Sequence, residues 1–221
     1  MSVGRHARAT LRDLAERRPV WRPPGASGPV PRRSAVLLLF GVLDDIPAER
    51  HDTAVADDLD VLLTARSPHL THHPGQVSFP GGGIDPGDTG PQAAALREAV
   101  EETGLDPSGV EVLGTLPELP VTASGNLVTP VLAWWTRPSA VAAADPAETV
   151  DVFRVPVADL VAPANRATSV LHRAGATYRG PAFLVADVLV WGFTAYVLDR
   201  VLDETGWAVP WDTAREVPVP L

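Results

Sequence analysis

Residues 97–105 read REAVEETGL and set three carboxylates, Glu98, Glu101 and Glu102, at the spacing i, i+3, i+4. At about 100° per residue this spacing gathers them on one face of a helix. Like charges so placed repel by roughly a few tenths of a kcal/mol per pair. Gly104 reads as a helix stop, which puts the acids near the negative end of the helix dipole. Local stability opposes the cluster, so a cation outside the helix is its natural reason. Just upstream, FPGGGIDPGD supplies glycines for a tight turn that brings backbone carbonyls close to a ligand. Carboxylates and a carbonyl form a hard oxygen donor set, suited to Mg²⁺ or Mn²⁺. Such ions keep waters and take their remaining ligands from substrate phosphates. The chemistry implied is a phosphate substrate bridged to acidic residues by metal. A glutamate-rich helix alone is more often a solvated face; the glycine-rich approach shifts the reading.

These residues need a helix and a turn to hold them. Thr89-Gly-Pro-Gln92 fits a capping box, with Thr89 as N-cap and proline in the first turn, opening a helix to about Thr103. Leu96, Ala99, Val100 and Thr103 share the side opposite the glutamates, so the helix can pack on a sheet and present acid to a cleft. Arg97 falls off the glutamate face on the same wheel. Short apolar runs bounded by turn signals predict strands at Ser34–Val42, Asp60–Thr64, Gln76–Phe79, Val110–Leu116, Leu127–Trp135, Val150–Val155 and Ala182–Val185. Residues 5–18 predict a short helix before the Pro/Gly-rich link WRPPGASGPVPRR, and Val188 to Leu202 a second helical pattern. The tail WAVPWDTAREVPVPL has too many prolines for regular structure and reads as a dimer contact or a loose end. One mixed α/β domain is the economical organisation.

Composition narrows the function. The chain has 221 residues, 45% of them hydrophobic, as a globular core requires. A net charge of −9 argues against broad binding to nucleic acid or an anionic membrane. The 18 basic residues are all arginine, and there is no cysteine, which excludes disulfides, thiolate nucleophiles and Cys-ligated metals. The N-terminus MSVGRHARATLRDLAERRP is charged where a signal peptide is apolar. The longest apolar run, FLVADVLVWGFTAYVL, is broken by Asp187 and is short for a membrane span. A cytoplasmic protein is expected.

The pattern Gly82-x5-Asp88-x8-Arg97-Glu98-Ala99-x-Glu101-Glu102-x-Gly104-Leu105 resembles the box that marks Nudix hydrolases, G-x5-E-x7-R-E-U-x-E-E-x-G-U with U a bulky aliphatic. It departs in Asp88 for the first glutamate, one extra residue before Arg97, and the small Ala99. The resemblance implies an α/β/α sandwich around a mixed β-sheet, with residues 34–203 as the hydrolase domain between an N-terminal helix and link (1–33) and the tail (204–221). It implies Glu98 and Glu102 as the main metal ligands, Glu101 for a further ion or for orienting the attacking water, and the Gly81 carbonyl as a backbone ligand. Arg97 would tie loop to helix by ion pairing. The general base stays open between Glu101 and an acidic residue of a later loop, and Asp88 carries no role.

The run before the box, Leu62-Leu63-Thr64-Ala65-Arg66-Ser67-x3-Thr71-x3-Gly75-x3-Phe79-Pro80-Gly81-Gly82, is similar to the coenzyme A pyrophosphatase motif LLTxRSx3Rx3Gx3FPGG. Thr71 stands where that motif has arginine. Arg66, Ser67, His73 and Gly75 are the implied substrate-binding positions, with His72 a further nearby donor. Val121–Gly125, Val128–Pro130, Val152–Pro156, Gly180–Phe183 and Val190–Ala195 extend the likeness, which spans about residues 34–201. It implies Mg²⁺- or Mn²⁺-dependent cleavage of coenzyme A or a derivative into 4′-phosphopantetheine and adenosine 3′,5′-bisphosphate. Two alternatives remain: hydrolysis of another nucleoside diphosphate derivative, such as a dinucleotide or nucleotide sugar, and a non-catalytic nucleotide sensor. A small-molecule diphosphate is the expected partner, and a homodimer is left open.

Overall fold

The computed structural model describes residues 6–21, 32–46, 48–67, 75–121, 125–145, 147, 149–173, 175–185, 187 and later through 219. A helix, α1 (Ala7–Arg17), precedes the long strand β1 (Arg32–Val42). Then come β2 (Leu59–Arg66), β3 (Val77–Ser78), β4 (Gly81–Gly83) and the acidic helix α2 (Pro91–Thr103). The strands β5 (Val110–Thr115), β6 (Leu119–Val121), β7 (Asn126–Trp135) and β8 (Thr149–Pro156) follow, with a short α3 (Val157–Val161). A second group is β9 (Arg166–Arg173), β10 (Ala176–Val185), β11 (Val188–Val190), α4 (Gly192–Thr205) and β12 (Glu216–Pro218).

The main sheet runs β3-β2-β1-β7-β5, with β4 added to β1, β6 to β7 and β8 to β2. It is mixed: β1 lies parallel to β7 and antiparallel to both β2 and β4. β1 divides one edge between two partners. Phe40–Val42 pair with β2 and Ser34–Val36 pair with β4, so β2 and β4 part beside the middle of β1. Alternation along β1 sorts its side chains by face. Ala35, Leu37 and Leu39 join Ala94, Ala95 and Ala99 of α2, while Leu38, Phe40 and Val42 join the core formed with α1 and α4. The sheet is therefore covered by helices on both faces, the expected α/β/α arrangement. The second sheet, β11-β10-β9-β12, packs through Phe183, Val185 and Val190 into the α1–α4 core.

Four expectations are corrected. The glycine run is not a bare turn, because Gly81–Gly83 form an edge strand on β1. The N-cap of α2 is Gly90, not Thr89, and no side chain caps it; proline at N1 sets the start. The pattern from Val188 is a strand before it is a helix, since Asp187 takes a positive φ of 59° and turns β10 back into β11. The proline-rich tail is partly regular: β12 runs parallel to β9 at the sheet edge, where proline is tolerated. Trp211 precedes it and stacks over the buried Arg166 guanidinium at 4.6 Å.

Candidate active site

The floor of the site is β4. A Cβ on Gly81 would lie 2.3 Å from the Ala35 carbonyl oxygen and 2.6 Å from Val36 Cα, so only glycine lets this strand approach β1. A Cβ on Gly82 would meet the Glu98 carboxylate at 2.4 Å. The glutamate on α2 lies directly on the glycine backbone, and the two glycines serve different contacts.

Glu102 reaches the same strand, its Oε2 accepting the Gly81 N–H at 3.1 Å. Glu98 and Glu101 each accept from Arg97 Nη1 at 3.0 Å. The wheel placed Arg97 off the glutamate face; its long side chain instead reaches both acids, one of them its i+4 neighbour. The rest of the guanidinium holds the loop before α2. Nε and Nη2 donate to the two oxygens of Asp88 at 3.2 and 3.0 Å, and Nη2 donates to the Gly83 carbonyl at 3.0 Å. Asp88, left without a role by its departure from the box, is the bidentate partner of Arg97 and also accepts the Asp85 N–H at 2.8 Å. The pair Asp85-x2-Asp88 was the sequence signal for this hub: two acids in a turn facing an arginine.

The electrostatics follow from these contacts. Burial pushes the Glu98 carboxyl above the usual glutamate range against the pull of Arg97, and the charges of Glu101 and Asp85 push the same way as burial. The Arg97 hydrogen bonds, then the Asp85 N–H, hold Asp88 below the usual range. Among the described residues no three acidic or histidine side chains converge closely enough to hold a metal by themselves. Arg97 holds Glu98 and Glu101 through one nitrogen, while the Gly81 N–H holds Glu102. The donors are nonetheless of the right kind, all oxygen. Glu98 is half-buried beside like charges that a divalent ion would offset. Glu98, Glu101, Glu102 and the Gly81 carbonyl fit Mg²⁺ or Mn²⁺ by chemistry.

A second group of expected residues stands at the open end of the β2–β3 pairing. Arg66 donates its N–H to the Gln76 carbonyl at 3.0 Å, and Gly75 donates to the Ser67 carbonyl at 3.4 Å. Ser67 is buried, and Gly75 takes a positive φ of 66°. The Arg66 Nε is buried with no hydrogen-bond partner among the described residues. Gln76 to Pro80 joins this group to Gly81. Thr71, His72 and His73 lie outside the described residues.

Residues 47–173 match the NUDIX domain family. A protein of Shigella flexneri called uncharacterized Nudix hydrolase NudL is 34% identical over 197 residues, 89% of this chain and 95% of its own length. Its namesake in Escherichia coli O7:K1 is 38% identical over 146 residues, 66% of this chain and 75% of the relative. In fold, the chain is similar to the Nudix hydrolase RenU of M. smegmatis, with a TM-score of 0.52 and 22% identity over 82% of this chain and 89% of that one. The chain belongs to the Nudix hydrolase family, whose members generally use divalent metals such as Mg²⁺ or Mn²⁺ on small-molecule diphosphates.

Proposed function

We infer that this Nudix hydrolase cleaves the diphosphate of coenzyme A or a derivative, giving 4′-phosphopantetheine (or its acyl form) and adenosine 3′,5′-bisphosphate. The observation that carries the substrate is the run from Leu62 to Gly82, similar to the coenzyme A pyrophosphatase motif at every fixed position except Thr71. Glu98, Glu101, Glu102 and the Gly81 carbonyl are the assigned metal donors. The bound ion supplies charge neutralisation of the diphosphate and a water activated for attack at phosphorus. One water is consumed, one P–O bond to the bridging oxygen breaks, and each product leaves as a phosphate monoester with a proton released. Arg97 keeps Glu98 and Glu101 in register with the loop, while Arg66, Ser67, His73 and Gly75 take the substrate. The proton from the attacking water goes to Glu101 or to an acid of a later loop. A cytoplasmic location belongs to the same reading.

Thr71 favours a second reading. An arginine there could grip the 3′-phosphate of coenzyme A bidentately, and threonine cannot. A dinucleotide or nucleotide sugar is then the competing substrate. A sensor without catalysis is disfavoured because all three box glutamates are present. The test is purified protein with coenzyme A and Mg²⁺ or Mn²⁺, products separated, beside a panel of diphosphates ranked by kcat/KM. Coenzyme A at the head of the ranking is expected. No cleavage of it with either ion, while another diphosphate is turned over, removes the substrate assignment and leaves the family.

A further inference from the structure

β3 is two residues long and leads through Phe79 and Pro80 into the glycines beneath the glutamates. The carbonyls along this stretch have distinct partners. Gln76 accepts the Arg66 N–H at 3.0 Å, and Pro80 accepts the Leu37 N–H at 2.8 Å. Between them β3 pairs antiparallel with β2, Thr64 opposite Ser78 and Ala65 opposite Val77, and two hydroxyls add to that pairing. Thr64 Oγ1 donates to the Ser78 carbonyl at 3.2 Å, and Thr194 Oγ1 donates to the Val77 carbonyl at 3.0 Å. Both threonines are buried, at 1% and 5% exposure. Thr194 comes from the first turn of α4, in Val190-Trp191-Gly192-Phe193-Thr194-Ala195, a run without a part in the chemistry above.

Val77 and Phe79 also pack with Val190 and Ala195 in the α1–α4 core. Such contact holds the segment near α4 but is non-directional. A hydroxyl–carbonyl bond fixes where the strand sits along and about its axis, and its loss leaves a buried acceptor unmet. Proline at position 80 limits how far the backbone can relax before β4. The next residue, Gly81, gives its N–H to Glu102, and Gly82 bears on Glu98. We propose that Thr194, assisted by Thr64, is a positioning residue that sets the glycine strand against Glu98 and Glu102, making α4 part of the active-site scaffold. Its consequence for catalysis rests on the diphosphatase reading; its consequence for the backbone does not.

Thr194→Val removes the hydroxyl at nearly constant shape, Thr194→Ser keeps it, and Val197→Ala is the control in the same buried helix face. Amide exchange at Gly81 is followed by NMR, with kcat and KM for coenzyme A and the Tm of each protein. In Thr194→Val, Gly81 exchange is expected to rise and kcat to fall, each about tenfold, with KM nearly unchanged, as a displaced catalytic geometry predicts. Thr194→Ser restores both, and Val197→Ala lowers Tm without moving either. If Thr194→Val behaves like Val197→Ala, the proposal is overturned. Should Thr194→Val fail to fold, Thr64→Val against Thr64→Ser decides by the same readouts. A wild-type protein inactive on coenzyme A would refute the substrate alone, and Gly81 exchange would then settle the positioning role.

Discussion

Alanine at two neighbouring glycines should separate catalysis from folding. A Cβ on Gly82 would lie 2.4 Å from Glu98 Cδ and Oε2, against 3.4 Å for ordinary contact, so the carboxylate must retreat by about 1 Å (3.4 − 2.4). The obstacle is the far end of a flexible side chain, which moves at little cost in stability. A catalytic group misplaced by about 1 Å can lose on the order of a hundredfold in rate. On Gly81 the Cβ would lie 2.3 Å from the Ala35 carbonyl oxygen and 2.6 Å from Val36 Cα, both main chain of β1. The strands must part, an overpacking worth about 1–3 kcal/mol. For a chain of this length each kcal/mol lowers Tm by about 2–4 °C. Gly81→Ala is therefore expected to melt several degrees early. Gly82→Ala should melt near the wild type, with kcat about a hundredfold lower and weaker Mn²⁺ uptake by calorimetry. Wild-type kcat and Mn²⁺ affinity in Gly82→Ala, or equal Tm losses in the two variants, would refute this account of the floor.

Arg97→Lys keeps the charge but not the fork that spans Asp88, the Gly83 carbonyl, Glu98 and Glu101. Thermal melting should show a loss of about 1 kcal/mol at this partly exposed site, and an unchanged Tm counts against the hub. Asp60 is buried beside Arg154 at 2.7 Å, and burial raises its carboxyl against the pull of that arginine. A raised acid contributes stability that is full below its unfolded value and lost as pH rises through the folded one. The stability of Asp60→Asn relative to wild type should thus improve from strongly acidic to neutral pH, and the opposite trend in Tm sinks the assignment. Thr71→Arg restores the motif residue and should lower KM for coenzyme A more than for its 3′-dephospho form. Equal change for both substrates would mean this position does not read the 3′-phosphate.

Elements with a strong local period were legible in the sequence. β1, β7 and α2 appear within a few residues of their predicted bounds because each buries a regular set of apolar side chains. β9 was not read: in RATSVLHR its first residue is an arginine that burial would not suggest. Arg166 is 1% exposed, lying between Phe183 and Trp211 and paired with Asp199, partners far from it in sequence. β12 forms for a similar reason, since its pairing with β9 comes from tertiary docking and not from propensity. At the site, the spacing of the glutamates showed the shared face, but the reach of Arg97 depends on side-chain length and on where the loop returns. The hydroxyl of Thr194 is a contact between residues 117 apart in the chain, which no local pattern encodes.

Arg97 offsets two of the three acids on one helix turn, Glu98 and Glu101, while Glu102 is held by the Gly81 N–H, and the arginine also limits what a metal must overcome. Its strongest hold is on Asp88, through two bonds to a carboxylate that is not among the assigned metal donors. Its contact with Glu101 is an i,i+4 pair whose acid is 58% exposed, worth about 0.3–0.5 kcal/mol at most. Releasing Glu101 costs little and leaves the loop anchored. Glu98 differs: at 19% exposure it has lost much of its hydration, and a single charge on a shared guanidinium nitrogen only partly offsets that loss. A doubly charged ion offers Glu98 more than Arg97 does, while the Asp88 and Gly83 contacts keep the arginine from following it. The same residue can thus serve as counter-ion to the glutamates and as the fixed tie between loop and helix, because those two duties use different nitrogens.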